Sequence, residues 1–299
     1  MTSRTSGAAR VALAAATWGL WPLFVRGSPV PSAWLAVSAL GIFGVLALPF
    51  ALRRRGAPRP ASAWLLVAAL GGGDALNNRF YFTALGAGPV APAVVSHYLA
   101  PVLVAVAAPF VLRERFSKRT LVAVVLGLGG TTLLVAGKGC GAGASAAVAW
   151  GAGSAVFYAA TVLGSKPALA RFSVAEVGSY HALVGAALLA LAAPWPPPPL
   201  ADFARPALGA LACAVGGSLL FYSGLKRLTA ATASILTYLE IVSATAVGVF
   251  AFHESVGALA AAGAVLVFAA GVVVLSAHQL NAAPATPVRQ REGPDEPNV

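Results

Sequence analysis

The chain has 299 residues, of which 59% are hydrophobic and only 10% are charged. Soluble domains are nearer to about 45–50% apolar and about 25% charged, so this composition excludes an ordinary soluble protein and indicates a membrane protein with several spans. The formal net charge of +11 would suggest a nucleic-acid partner for a soluble chain. In a membrane protein Lys and Arg report topology instead, so no nucleic-acid partner is expected.

Charged or proline-rich stretches divide the chain into ten apolar runs. A helix rises about 1.5 Å per residue, so about 20 residues cross the ~30 Å hydrocarbon core of a bilayer. Each run therefore predicts a transmembrane helix, a form that satisfies every backbone polar group within lipid. In chain order the predicted spans are 10–26, 33–52, 62–85, 91–112, 120–137, 145–165, 175–193, 207–225, 230–252 and 256–277.

The basic residues orient these spans. With the N-terminus placed inside, sixteen of the 20 Lys and Arg residues fall on the cytoplasmic side and three on the outer side, while Arg79 lies within a span. Because cytoplasmic loops are enriched in Lys and Arg, both termini are predicted to be cytoplasmic. The predicted tails are a short segment at 1–9 and a polar, Pro-rich, disordered segment at 278–299.

The two halves of the chain resemble each other at an offset of 140 positions. Tyr98 corresponds to Tyr238, each followed by Leu, and Glu114 corresponds to Glu254. Both glutamates follow an apolar helix. Because the Tyr-Leu and Glu matches share one offset, they carry more weight than matches between alanines. The pattern predicts an internal repeat.

Each predicted half, 10–137 and 138–277, contains five spans. Because five is odd, the second half enters the membrane from the opposite side. The predicted fold is therefore an all-α integral membrane protein of ten transmembrane helices, arranged as two inverted five-helix repeats. Inverted repeats are typical of alternating-access transporters, in which the substrate binds between the repeats near the midplane.

These features resemble the drug/metabolite transporter superfamily, EamA type. The resemblance covers about residues 8–277 and depends on the two five-helix halves, an early Trp-Gly in each half, and a charged pair that closes the fourth helix of each. The residues concerned are Trp18-Gly19, Trp150-Gly151, Arg113-Glu114 and His253-Glu254.

The resemblance implies a multi-pass permease of the bacterial inner membrane, often an exporter of amino acids or other metabolites. The aromatic amino-acid exporters are the nearest comparison by size and aromatic content. The expected partners are the lipid bilayer and a small-molecule substrate, and no cofactor or metal is expected.

The third predicted span carries polar residues on one helical face. Asn77, Asn78 and Tyr81 follow Asp74 at spacings of three, four and seven. Ionisable groups within a membrane are costly and usually functional, so this face is interpreted either as a cavity wall or as a buried polar network between helices. The preceding Gly71–Gly73 run indicates close helix packing or a flexible break.

The fourth and ninth spans carry further candidates. His97 and Tyr98 lie in the fourth, and His97 is interpreted either as a proton-coupling group or as a neutral, hydrogen-bonded core residue. The ninth offers Tyr238, Glu240 and Ser243. A carboxylate at Glu240 can bind a substrate ammonium group or carry a proton, and the alternative is a protonated Glu bonded to a neighbouring helix.

Aromatic residues on the first, sixth and eighth spans form a second group of candidates. In the family that the chain resembles, these helices line the central cavity, which implies substrate contact, although an interfacial belt is the alternative interpretation. His181 and Glu176, in the seventh span, are interpreted as interfacial. The aromatic candidates are Trp18, Trp21, Trp150, Tyr158 and Tyr222.

The fifth and tenth spans lack interior charges and carry small-residue spacings such as Gly263 to Gly271. Small residues let membrane helices pack closely, so these spans are predicted to be packing helices, with a homodimer surface as one possibility.

The preferred function is secondary active transport, with export as the expected direction, of small organic metabolites. Amino acids, including aromatic or large neutral ones, are the favoured class. A multidrug exporter of lipophilic cations is the alternative. Small exporters of the superfamily that the chain resembles carry a Glu in the first helix, and residues 11–25 of this chain contain no acidic residue. Asp74 or Glu240 can take the place of that Glu. A membrane enzyme is disfavoured because the sequence contains no HExxH or comparable catalytic motif.

Overall fold

A computed structural model describes residues 3–53, 58–87, 90–115, 117–136, 143–253 and 257–280, and within these ranges the chain is helical, without strands. Glu254 and most of the predicted tail at 278–299 lie outside the described residues. The helices are α1 (Ser3–Trp18), α2 (Trp21–Val25), α3 (Ser32–Leu52), α4 (Ala61–Ala87), α5 (Val90–His97), α6 (Ala100–Leu112), α7 (Lys118–Val135), α8 (Ala144–Arg171), α9 (Val174–Ala192), α10 (Ala204–Gly209), α11 (Ser218–Leu225), α12 (Ala230–Leu236), α13 (Leu239–Phe252) and α14 (Ala258–Leu280), with a π-helical stretch at Ala210–Gly217 between α10 and α11.

In the described part of the chain, seven helical stretches are long and apolar enough to cross a membrane. They include α1–α2, α5–α6, α10–α11 and α12–α13 taken as continuous segments. Large apolar side chains also cover the outside, among them the equivalent residues Phe110 and Phe250, which are 83% and 82% exposed. Exposed apolar surface on this scale suits contact with lipid. The chain is a multi-pass membrane protein, and ten crossings with cytoplasmic termini stay a prediction.

The two halves pack against each other through matched pairs of helices. Helix α1 contacts α11, α12 and α13 of the second half, and its counterpart α8 contacts α4, α5 and α6 of the first half. The equivalent helices α3 and α9 pack together, and so do α7 and α14. Exchanging the halves leaves this set of contacts unchanged, which is the pattern of an approximate two-fold axis.

The backbone repeats the same relation. Helices α6 and α13 end at Arg113 and His253, which are 140 positions apart and have φ angles of 56° and 55°. Positive φ is uncommon for residues other than glycine, so its presence at two equivalent helix ends marks a shared C-terminal cap. In each cap the N–H bonds the carbonyl oxygen five residues earlier, Ala108 and Gly248 respectively.

Equivalent helix breaks meet at the centre of the protein. A tight turn at Tyr98 and Leu99 separates α5 from α6, and a tight turn at Thr237 and Tyr238 separates α12 from α13. The Tyr238 hydroxyl donates to the carbonyl oxygen of Tyr98 at 3.1 Å, and the two rings stack with centroids 5.9 Å apart. Because these residues are equivalent and in contact, the approximate axis passes between them.

Glu114, in the first half, bonds the start of helix α12 in the second half. Its carboxylate oxygens accept the backbone N–H of Ala230 at 2.8 and 2.9 Å and that of Ala231 at 3.5 Å. The first N–H groups of a helix lack partners within the helix, so this carboxylate satisfies the start of α12.

We expect Glu114→Ala to lower the free energy of unfolding by about 1 kcal/mol, the usual size of a lost helix cap. Thermal unfolding of the detergent-purified protein measures the change, with the exposed neighbour substitution Arg115→Ala as the matched control. Equal melting temperatures for the two variants would show that the cap contributes nothing.

The predicted packing helices pack on each other within the chain. A Cβ added at Gly130 of α7 would lie 2.7 Å from the carbonyl oxygen of Gly263 in α14, so the absence of a side chain lets the two helices approach. Gly263 therefore faces α7 rather than a second copy. The homodimer stays a prediction, without support from this residue.

Candidate functional site

A cavity of about 90 Å³ lies between the two halves. It straddles the approximate axis, because the equivalent residues Trp18 and Tyr158 both line it, as do the equivalent residues Asp74 and Ala214. Aromatic rings form much of the wall, including Phe43. The polar lining residues are Asp74, Tyr158, Thr161, Ser165, His181, Ser218 and Tyr222.

Close packing of α4 on α9 brings Asp74 to His181. A Cβ at Gly71 would lie 2.6 Å from the carbonyl oxygen of His181, and a Cβ at Gly185 would lie 3.1 Å from the carbonyl oxygen of Gly71. Both glycines therefore sit where the helix backbones touch. The Gly71–Gly73 run serves close packing, since α4 continues through it.

Asp74, His181 and Tyr222 form a polar cluster in the cavity wall. The His181 Nε2 atom lies 3.4 Å from Asp74 Oδ2 and 3.2 Å from the Tyr222 hydroxyl, and Nδ1 lies 2.6 Å from the carbonyl oxygen of Val177. His181 is only 1% exposed. The interpretation of His181 as interfacial is wrong, because α9 packs between α3 and α4 and turns this face of the helix inward.

Asn77 and Asn78 lie beside the cluster on α4. The Asn78 amide donates to Asp74 Oδ1 at 3.3 Å and to the Asp74 carbonyl oxygen at 2.8 Å, as expected for residues four apart on a helix. Asn77 Oδ1 and the cavity-lining Thr161 Oγ1 are buried without a hydrogen-bond partner among the described residues. Buried polar atoms normally have partners, so Thr161 is available to a ligand in the cavity.

A second layer of predicted site residues adjoins the cavity through Tyr158, and its members are Tyr81, His97, Tyr98 and Glu240. The His97 ring lies 4.3 Å from the Tyr81 ring and 5.6 Å from the Tyr158 ring. His97 Nδ1 lies 2.6 Å from the Ser154 hydroxyl. Since that hydroxyl donates to the carbonyl oxygen of Gly151 at 3.0 Å, it accepts from Nδ1, so this ring nitrogen is paired with a neutral group.

Tyr98 and Glu240 complete the second layer from opposite halves. Their side chains are hydrogen-bond partners of each other, and the Glu240 carboxylate also interacts electrostatically with Tyr81 and Tyr158. Tyr158 interacts electrostatically with Asp74 as well, so its hydroxyl lies within electrostatic range of both carboxylates.

Four predicted site residues lie away from the cavity. Trp150 is 40% exposed and packs against Phe80, with ring centroids 5.0 Å apart. Tyr238 is fully buried at the helix break, and Ser243 donates to the carbonyl oxygen of Glu240. Trp21 packs against Gly209. None of these four lines this cavity, and their contact with substrate stays a prediction.

The internal repeat could have revealed some cavity-lining residues that were not among the predicted site residues. Adding 140 to Asn78 and Tyr81 gives Ser218 and Phe221, and both line the cavity. His181 corresponds to Gly41, so the repeat carries no signal for it.

Few charged side chains line the cavity. Its lining includes one carboxylate and one imidazole, and no Lys or Arg is among the described lining residues. The nearby Lys166 ammonium group donates to the carbonyl oxygens of Leu225 and Leu228, while Arg79 is exposed. Within the described ranges, His, Cys, Asp and Glu form no group of three that could hold a metal ion. The site therefore favours a cationic or ammonium group over an anion.

Comparisons with known proteins agree with the two-fold architecture. The sequence model of the EamA-like transporter family matches the chain twice, at residues 5–136 and 145–276, again 140 positions apart. An uncharacterized transporter from Archaeoglobus fulgidus is 30% identical over 278 residues, covering 90% of this chain and 95% of that protein. A solved crystal structure matches with a TM-score of 0.79 at 23% identity, covering 92% of this chain and 99% of that one, and shows the same fold.

Proposed function

The chain belongs to the EamA-like transporter family, and from that premise we propose that it is a secondary active transporter of small amine-bearing organic molecules, amino acids first among them. The protein is a membrane transporter with several spans. We further propose ten crossings with both termini cytoplasmic, a place in the bacterial inner membrane, and export as the net direction.

The observation that carries the proposal is the position of the Asp74, His181 and Tyr222 cluster. Asp74 belongs to the first half, whereas the other two belong to the second, and all three line the cavity between the halves. A carboxylate within a membrane costs free energy, so its place in a cavity wall supports a role in binding a positively charged group. The surrounding aromatic rings suit the flat or amphipathic part of such a molecule.

The size of the cavity supports alternating access. At about 90 Å³ it holds several water molecules but is smaller than the ~300–1,000 Å³ of ordinary small-molecule sites, so substrate entry requires the halves to move. Separate contacts between the halves are available on the two predicted sides of the membrane. Gly19 packs against Ser243 of α13 toward the outer side, and Gly224 of α11 packs against Val11 of α1 toward the inner side. Rocking about the approximate axis would open one set of contacts while keeping the other.

Export of lipophilic cations is the second candidate function. The observation that favours it is the cavity lining, which offers a carboxylate and aromatic rings but, among its described residues, no Lys or Arg for a substrate carboxylate. An amino acid would place its carboxylate near the hydroxyl groups of Thr161 and Tyr158 instead.

The experiment is uptake into liposomes that contain the purified protein. The panel consists of labelled aromatic, large neutral and small amino acids together with one lipophilic cation, and protein-free liposomes are the control. Saturable uptake of amino acids supports the first proposal, and saturable uptake of the cation alone moves the assignment to the second. If no compound enters faster than into protein-free liposomes, the proposed function is wrong.

A further inference from the structure

The Glu114 carboxylate joins the two halves through groups of opposite charge. It belongs to the first half and accepts the backbone N–H groups of Ala230 and Ala231 in the second half, the nearest at 2.8 Å. It also interacts electrostatically with the Lys166 ammonium group, which belongs to the second half as well. We name these groups, the carboxylate of Glu114 with its partners on Ala230, Ala231 and Lys166, the Glu114 latch.

The latch lies next to the cavity along two helices. On α8, Ser165 lines the cavity and Lys166 is the following residue. On α11, Tyr222 lines the cavity, and the Leu225 carbonyl oxygen, about one helical turn further on, accepts from Lys166 at 3.0 Å. While Glu114 is bound, the two halves are therefore held together directly beside one end of the cavity.

The position of Glu114 allows this contact to break and re-form. Its side chain is half-buried at the end of α6, between the exposed residues Arg113 and Arg115, so water can replace its hydrogen bonds. The Arg59 and Glu176 pair, which also joins the halves, is different, because Glu176 is only 1% exposed and its carboxylate lies 2.9 Å from Arg59. Separating that pair would leave a buried charge without a partner. Of these two contacts, the Glu114 latch is the one that can open.

The internal repeat places the same charges on the opposite side. At the offset of 140 positions, Glu254 corresponds to Glu114, and Arg26 corresponds to Lys166. The Arg26 guanidinium group lies 4.2 Å from the centre of the Phe252 ring, at the end of α13 and two residues before Glu254. Glu254 itself lies outside the described residues. Because the two halves are inverted, an equivalent latch made by Glu254 and Arg26 would lie at the other end of the cavity.

We propose that Glu114 and Glu254 latch two opposite gates of the transporter, an inference that rests on the alternating access of the proposed function. The Glu114 latch closes the inner side in the proposed orientation, and the Glu254 latch closes the outer side. In this structure the Glu114 latch is formed. Opening the inner side moves the Glu114 carboxylate from the start of α12 into water, and only hydrogen bonds and ionic contacts change. Rocking of the halves separates one latch while it brings the groups of the other together.

The test measures how fast a cysteine in the cavity wall reacts with a membrane-impermeant, cationic thiol reagent applied to each side of the membrane. The reporter is Ser165→Cys, in a chain whose two native cysteines, Cys140 and Cys213, are replaced by Ser. Right-side-out and inside-out vesicles present the two sides. Arg115→Cys in the same background identifies the side of the Glu114 latch, because Arg115 is exposed next to it.

Glu114→Gln is expected to raise the labelling rate from its own side about fivefold, since the loss of one helix cap shifts the population of two states by about this factor. Glu254→Gln is expected to act in the opposite sense, with faster labelling from the other side and slower labelling from the Glu114 side. The matched control is Arg115→Gln, a change of charge at the exposed neighbouring residue, which is expected to leave both rates unchanged.

The inference is overturned if Glu114→Gln leaves the rate from its own side unchanged, or raises the rates from both sides equally. If size-exclusion profiles show that Glu114→Gln does not fold, Lys166→Gln removes the cation from the same latch and is expected to give the same result. Labelling requires no substrate, so a failure of the latches leaves the liposome panel to decide the proposed function. If that panel shows no transport, the proposed function is wrong, whereas opposite effects of Glu114→Gln and Glu254→Gln would still support the two latches.

Discussion

Asp74→Asn will reduce the initial rate of saturable uptake at least about tenfold, the size of effect expected when the carboxylate that binds a charged group is lost. The substitution keeps the size of the side chain and still allows a contact with the Asn78 amide, so the helix is expected to fold. What it removes is the negative charge that faces His181 and Tyr222. A substrate ammonium group would then meet an amide in a cavity whose described lining holds no other carboxylate.

The rates are measured in the same liposome assay, with equal amounts of protein reconstituted. Asp202→Asn makes the same chemical change in the short 3₁₀ helix Leu200–Phe203, which does not line the cavity, and it is expected to transport at the wild-type rate. Glu240→Gln distinguishes the two layers of polar residues, because Glu240 belongs to the second layer and is not among the residues that line the cavity. If Glu240→Gln loses more activity than Asp74→Asn, the substrate site lies in that second layer and the assignment of Asp74 is wrong.

Gly151→Ala will destabilise the protein, whereas Gly153→Ala on the same helix will leave it unchanged or more stable. A Cβ at Gly151 would lie 2.0 Å from Ser96 Oγ and 2.6 Å from the carbonyl oxygen of Ala93, and a backbone carbonyl cannot move aside as a flexible side chain can. Overpacking of this kind costs about 1–3 kcal/mol, more than the ~1 kcal/mol that Ala gains over Gly in a helix. A Cβ at Gly153 meets no atom nearer than 3.7 Å.

Thermal unfolding and size-exclusion profiles of the two variants in one detergent provide the comparison. Gly19→Ala, at the glycine of the other Trp-Gly pair, is also expected to destabilise the protein, because its Cβ would lie 1.8 Å from Ser243 Oγ and 2.6 Å from the carbonyl oxygen of Glu240. Equal melting temperatures for Gly151→Ala and Gly153→Ala would show that α8 can shift away from α5 without cost.

These contacts give a physical reason for the Trp-Gly pair that occurs in each half. Each glycine lies where the first helix of one half meets the fourth helical segment of the other half. The preceding tryptophans differ in position. Trp18 lines the cavity, while Trp150 faces outward against Phe80. The glycine therefore serves the packing of the two halves, and only one of the two tryptophans belongs to the site.

The sequence by itself determined the class of protein, the place of most helices and the internal repeat. The predicted spans 33–52 and 230–252 lie within one residue of the helical stretches Ser32–Leu52 and Ala230–Phe252. Long apolar runs carry this information directly, because a membrane span needs a set length of apolar residues. The offset of 140 positions was visible in Tyr98 and Tyr238, which the structure places in contact.

The tertiary structure decided which face of each helix is turned inward. In a soluble protein a polar outer face marks the direction of the core, but lipid is as apolar as the protein interior, so hydrophobic periodicity loses that meaning in a membrane. Helix rotation is set instead by where small residues such as Gly71 and Gly151 allow backbones to touch. That packing placed His181 in the cavity wall and Trp150 on the outside, the reverse of what their positions along the spans had indicated.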